Sequence, residues 1–172
     1  MSNNRIIAIS GQSGCGNSSV SKIVAEQLHL RFINYTFHDM ADELKMPFPD
    51  LMKAAEQDSQ YDLELDRKQV AFALRGECIL GSRLAIWLLK DLAVKIYLDA
   101  SVEIRSQRIA AREQKPFKTA LKETAERDQR DHDRFMKLYS IDNDRYDFAD
   151  LIINTEEGDQ YFVAKRIIDF LC

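Results

Sequence analysis

Short apolar runs and amphipathic stretches alternate along this chain. Five runs read as strands: Arg5–Ser10, Arg31–Asn34, Glu77–Leu80, Ala93–Leu98 and Leu151–Asn154. In the first, Ile6-Ile7-Ala8-Ile9 shows no polar alternation, as a strand buried on both faces of a parallel sheet would. Between the runs, apolar residues recur three and four apart, as Val20, Ile23, Val24 and Leu28 do. This spacing predicts helices over Val20–Leu28, Glu64–Leu74, Val102–Arg112, Leu121–Leu138 and Tyr161–Leu171. The alternation predicts an α/β fold, a five-stranded parallel sheet between two helical layers, with ligands at the carboxyl ends of the strands. Two intervals are far longer than a crossover needs, Thr36–Arg75 and Ala100–Asp147, and both read as charged helical insertions. Pro47, Pro49 and Pro116 fall at breaks. No repeat or low-complexity linker divides the 172 residues, so one domain over 1–172 is expected.

Composition narrows the partners. Apolar residues make up 45 %, as in an ordinary globule. A formal charge of −4 argues against a nucleic-acid polymer or a membrane surface as partner. No apolar run is long enough to span a bilayer, and Met1-Ser2-Asn3-Asn4 leads into the first strand without a signal peptide. Cys15, Cys78 and Cys172 are scattered without metal spacing, which fits reduced thiols in a cytoplasmic protein. Cys15 reads as a small residue filling a tight turn rather than as a redox centre.

The chemistry begins after the first strand, where Gly11-Gln12-Ser13-Gly14-Cys15-Gly16-Asn17-Ser18-Ser19 matches a phosphate-binding loop except at one position. The pattern is Gly, four residues, Gly, Lys, then Ser or Thr, and Asn17 stands where lysine is expected. Strand, glycine loop and helix are the right context. Backbone N–H groups and a helix N-terminus together make an anion cradle.

Arginines are the second signal. Arg105, Arg108 and Arg112 share one helix face, and Arg127, Arg130 and Arg134 repeat the spacing on another. Two solvated faces with pairs such as Glu123–Arg127 would look the same. Behind a phosphate loop in an acidic chain, a clamp of bidentate guanidinium groups is the better reading. Arg83 follows the third strand, where a side chain can point towards the ligand crevice, although a surface arginine capping a turn fits the local sequence equally well. The acidic run Glu56, Asp58, Asp62, Glu64, Asp66 reads as a solvated face with no metal, and lone His38 as structural or exposed. Ile141–Asp147 reads as a polar turn, with contact to an adenine or ribose as its alternative.

Taken in order, these pieces resemble the cytidylate kinases, in particular the short, archaeal-type form within the P-loop nucleoside monophosphate kinases. The pieces are Gly11–Ser19, Phe37-His38, Asp62–Arg67, Ser82-Arg83-Leu84-Ala85 and Arg108-Ile109-Ala110-Ala111-Arg112-Glu113. The rest are Arg127–Arg134, Tyr139-Ser140-Ile141-Asp142 and Tyr146-Asp147. The resemblance implies a P-loop kinase three-layer α/β/α sandwich with a helical NMP-binding insertion at about 36–75 and a helical lid at about 112–122. It implies transfer of the γ-phosphoryl of ATP to CMP or dCMP with Mg²⁺, by a monomer. By matching positions, Gly11, Gln12, Ser13, Gly14, Cys15, Gly16, Asn17, Ser18 and Ser19 would hold ATP, with the Ser18 hydroxyl on Mg²⁺. His38, Arg83, Arg127, Asp131 and Arg134 would hold CMP. Arg108, Arg112 and Asn17 would act on the transferring phosphoryl.

Three positions depart from the family pattern. Asn17 replaces the lysine, as in some short-form members. His38 stands where an arginine for the acceptor phosphate is expected, and Gly81-Ser82 stand where an acidic residue and glycine are usual. Each removes charge. A nucleotide-binding module without catalysis, and a kinase for another small acceptor, remain as alternatives to the (d)CMP kinase.

Overall fold

The computed structural model describes residues 5–172, so the reading of Met1–Asn4 lies outside it. The elements run β1 (Ile6–Gly11), α1 (Asn17–Gln27), β2 (Arg31–Ile33), α2 (Phe37–Leu44), α3 (Phe48–Gln57), α4 (Gln60–Ala73) and β3 (Cys78–Gly81). They continue with α5 (Ala85–Leu89), β4 (Val94–Asp99), α6 (Val102–Glu113), α7 (Phe117–Tyr139), β5 (Leu151–Asn154) and α8 (Gln160–Leu171). All strand pairs are parallel, in the order β2-β3-β1-β4-β5.

Side chains alternate across β1 and so build both layers. Ile7 and Ile9 pack with Val20, Val24, Val163 and Ile167 from α1 and α8. Ile6 and Ala8 face the other way, onto Leu80, Trp87 and Phe135, which brings α5 and α7 against the opposite face. β1 and its neighbour β3 connect to opposite sides of the sheet, so a crevice opens at their carboxyl ends.

The expected strands all form, with β1, β3 and β4 ending one residue later than their apolar runs. Helix α7 starts at Phe117, four residues before the expected Leu121, because Pro116 supplies a preformed φ at its N-cap. Only Gln114–Pro116 lie between the two helices, so the segment at about 112–122 consists of the end of α6, a tight corner and the first turns of α7. The first insertion is three helices with a small core of its own around Tyr35, Met40, Ala41 and Leu51.

Candidate active site

The loop after β1 turns through left-handed backbone at Gly16, where φ is 91°, and delivers the N-terminus of α1. Above it lies a cavity of about 370 Å³ lined by Gly11–Gly14, Gly16–Ser19, Gly81–Arg83, Arg108 and Arg112. Among the described residues no carboxylate lines it, while three arginines do. Backbone donors, a helix N-terminus and guanidinium groups around one space suit a polyphosphate.

Asn17 lies at this cavity, but its side chain is engaged with the scaffold. Its Nδ2–H donates to the Ile9 carbonyl at 3.0 Å, and its Oδ1 accepts from the Ser21 hydroxyl at 2.9 Å. The Ser82 N–H reaches the same Ile9 carbonyl at 3.1 Å. Asn17 thus lines the cavity while its side chain ties α1 to the end of β1. Gly81 is required by this arrangement, since a Cβ there would come within 2.6 Å of Ser21 Oγ and 3.1 Å of Asn17 Oδ1.

Burial lifts the Cys15 thiol to about 11, so it stays protonated and unreactive at neutral pH. It fills the turn, as its size suggested.

The helix α6 arginines divide by depth. Arg105 is 3 % exposed and grips the Asp128 carboxylate of α7 at 3.2 and 2.8 Å, the Ala100 carbonyl and the Ser13 carbonyl of the loop. Arg108 donates to Gly14 O at 3.3 Å, Thr155 Oγ1 at 2.9 Å and Thr155 O at 2.7 Å. Its guanidinium pins the loop to the segment after β5, so it is less free to close over a phosphoryl group than expected. Arg112 is exposed at the rim, beside Glu113.

A second cavity of about 410 Å³ continues past Arg108 between Cys15–Val20 and Thr155–Val163. No motif marked this segment, yet it follows the fifth strand, and the rule that ligands sit at carboxyl ends points to it. Ile141–Asp147 forms a turn and does not line this cavity. His132, Asp142 and Asp144 come together around it without lining either cavity, and His132 Nδ1 is engaged at 3.0 Å with Asn143 Oδ1.

On the other side of the loop lies a third cavity of about 480 Å³, walled by β2's end, α4, Gly81–Leu84 and α7. It meets the first cavity at Gly81, Ser82 and Arg83. Ser10, fully buried, fixes that shared edge: its hydroxyl donates to Ser82 O at 2.8 Å and accepts from the Ile86 N–H at 3.1 Å. Arg83 pairs with Asp131 and donates to Ser13 Oγ at 3.0 Å, where Arg127 also reaches at 3.3 Å. Asp131 accepts from Arg134 at 3.2 Å, and Arg134 pairs with Asp62 at 3.0 Å. Carboxylates and guanidinium groups therefore alternate from α4 to the phosphate loop. Burial depresses the Arg83 pKa and raises those of Asp62 and Asp66.

Several expectations change here. Asp62 and Asp66 line the third cavity rather than a solvated face. His38 is exposed, stacks on Phe48 at 3.7 Å and lines none of the three cavities, because α2 turns it outward while Phe37 turns in. Arg130 is exposed on α7 and lines none of them. Arg127 is drawn to Ser13, leaving Glu123 to pair with Lys115 at 2.5 Å.

An anion cradle that shares the Gly81–Arg83 edge with a second polar chamber fits the layout of a P-loop kinase. The fold agrees. Shikimate kinase from Bacteroides thetaiotaomicron aligns with a TM-score of 0.69 over 97 % of this chain and 98 % of its own, at 12 % identity, a likeness of fold alone. The particular family follows from sequence: the cytidylate kinase-like family model matches residues 6–157, and the chain belongs to that family. Cytidylate kinase 2 of Borreliella afzelii is 41 % identical over 95 % of this chain and 94 % of its own length. Cytidylate kinase of Pyrococcus horikoshii is 34 % identical over 96 % and 89 %.

Proposed function

We infer that the protein is a cytidylate kinase, an ATP-dependent transferase that moves the γ-phosphoryl of ATP to CMP or dCMP and releases ADP and CDP or dCDP. One observation carries the reading: the Gly81–Arg83 edge belongs to both the phosphate cavity and the third cavity, so Arg83 faces donor and acceptor together. The family and its relatives at 34–41 % identity support the choice of acceptor.

In this reading Gly11–Ser19 hold the ATP phosphates, and the chamber at Thr155–Val163 takes the adenine. The insertion at 36–75 with Arg83 and Arg134 encloses CMP, and the 112–122 segment carries Arg112 over the phosphates as a lid. An oxygen of the CMP phosphate attacks the γ-phosphorus, and the bond to the β,γ-bridging oxygen breaks. Charge then spreads over the transferring oxygens, where arginine is worth most. Arg83 is the cation common to both substrates.

Mg²⁺ fits the donor set. The exposed Ser18 hydroxyl offers one hard oxygen at the phosphate cavity, and Mg²⁺ needs few protein ligands when phosphates and water supply the rest. Bound there, the ion would neutralise the β- and γ-phosphate oxygens. In this reading the protein works in the cytoplasm as a monomer, with its cysteines as free thiols. Among the described residues no helix is long and apolar enough to cross a membrane.

A coupled ADP-release assay over the nucleoside monophosphates is expected to show turnover with CMP and dCMP. No turnover with either, at high enzyme and saturating Mg-ATP, would sink the reading and leave a non-catalytic nucleotide binder.

Asn17→Lys tests the loop. The substitution removes two hydrogen bonds, worth roughly 1 kcal/mol each. It should lower Tm by about 4–8 °C without raising kcat. A rise in kcat beyond about tenfold, equivalent to 1.4 kcal/mol, would mean that the native loop lacks a charge it needs.

A further inference from the structure

Strand β1 is apolar from Ile6 to Ile9 and then carries a fully buried hydroxyl, that of Ser10. A buried hydroxyl needs partners, and this one takes both from the segment after β3. It donates to the Ser82 carbonyl at 2.8 Å and accepts from the Ile86 N–H at 3.1 Å. Arg83 lies between those two partners in the chain.

The Ile86 contact answers a local need. Ile86 is the second residue of α5, and the first N–H groups of a helix have no partner within it. A serine, threonine, aspartate or asparagine at the N-cap would normally accept from that position. The N-cap here is Leu84, which has no side-chain acceptor, so Ser10 supplies the oxygen from another element. Leu84, Ala85 and Ile86 are all buried, which keeps water from serving instead.

The Ser82 contact secures the other end. The Ser82 N–H donates to the Ile9 carbonyl at 3.1 Å, so both backbone groups of Ser82 are tied to the end of β1. Without the hydroxyl, the Ser82 carbonyl would keep the Ala85 N–H at 3.4 Å, at the long end of hydrogen bonding. One oxygen thus braces the backbone on both sides of Arg83, while Asp131 and the Ser13 hydroxyl hold its guanidinium. Ser10 itself lines none of the three cavities.

Resting on the cytidylate kinase reading above, we propose that Ser10 is a positioning residue for phosphoryl transfer that acts through Arg83. Its hydroxyl fixes the backbone from which the guanidinium reaches the edge shared by the two cavities. A group that stabilises a transferring phosphoryl is sensitive to its place, and a shift of about 1 Å can cost a hundredfold in rate.

A double-mutant cycle tests this. The quantity measured is kcat/KM for CMP, well below the melting temperature, in wild type, Ser10→Ala, Arg83→Ala and the double variant. Ser10→Ala alone is expected to lower it by about 10–100-fold. In the Arg83→Ala background the same change should cost less than about threefold, because the group it positions is gone. ADP binding by Ser10→Ala, followed by calorimetry, should stay within about threefold of wild type, since the phosphate loop keeps its other anchors. Equal losses in both backgrounds, or no loss in either, overturn the proposal and leave the hydroxyl a capping element. So does an ADP affinity that falls as far as kcat/KM, which would place the damage in the loop beside Ser10. If Ser10→Ala does not fold, Ser10→Cys goes through the same cycle, its thiol being of similar size but a weak hydrogen-bonding group. Failure of both to fold overturns the proposal too. Wild type without turnover of CMP or dCMP overturns the cytidylate kinase reading and the proposal with it. Turnover by wild type with equal losses overturns only the role of Ser10.

Discussion

Arg83→Ala is expected to lower kcat/KM for CMP by roughly 10²–10³, the scale of removing one positioned transition-state donor. Arg83 stands at the edge shared by the phosphate-loop cavity and the third cavity and is held there from both sides, by Asp131 and by the Ser13 hydroxyl. Taking it away leaves Asp131 still paired with Arg134, so the fold should survive with a small loss of Tm. Arg83→Lys is expected to recover less than about tenfold of the activity, since an ammonium is a point charge and cannot reproduce the guanidinium fork. Steady-state kinetics beside a thermal melt separates the outcomes. Activity within a few-fold of wild type in Arg83→Ala would show that the transferring charge is met elsewhere, with Arg112 the next candidate.

This arginine was legible in the sequence because its position depends only on a strand's end. The same holds for the phosphate loop and for the five strands, whose apolar runs need no knowledge of distant neighbours. Helix α5 was not legible. Ala85–Leu89 is apolar throughout and buried apart from Leu88, so it has no polar face to set a period. The depth of the arginines was also hidden. Positions 105, 108 and 112 correctly share a stripe, but periodicity does not say which end of a stripe is buried. That depends on Asp128 lying opposite, which only the packing of α6 on α7 decides. Asp62 and Asp66 were misread for a related reason: a charge run looks the same whether it meets water or, as here, the Arg134 guanidinium and the Tyr139 hydroxyl. His38 shows the limit of alignment by motif. It follows Phe37 as the family's arginine would, yet its side chain leaves the cavity and stacks on Phe48.

In the proposed reading, the charge missing at Asn17 is supplied by residues of two kinds. Arg83, Arg108 and Arg112 face the phosphate cavity, whereas Arg105 acts from beneath it. That distinction yields the second large effect. Asp128→Ala is expected to destabilise the fold by about 3–5 kcal/mol, because it strands a guanidinium that is almost wholly buried. For a chain of 172 residues this is a fall in Tm of roughly 8–15 °C. Replacing both partners with apolar residues, as Arg105→Met with Asp128→Leu, should restore most of that stability, since a buried ion pair is often matched by good apolar packing. It should not restore activity. The Ser13 carbonyl loses the Arg105 N–H that holds it at 3.1 Å, and the loop that cradles the phosphates loses an anchor. A double variant with native Tm and kcat/KM reduced about tenfold or more is the expected result. If stability and activity return together, the Arg105–Asp128 pair is a packing element alone, and the loop holds its shape through Arg108 and its own backbone.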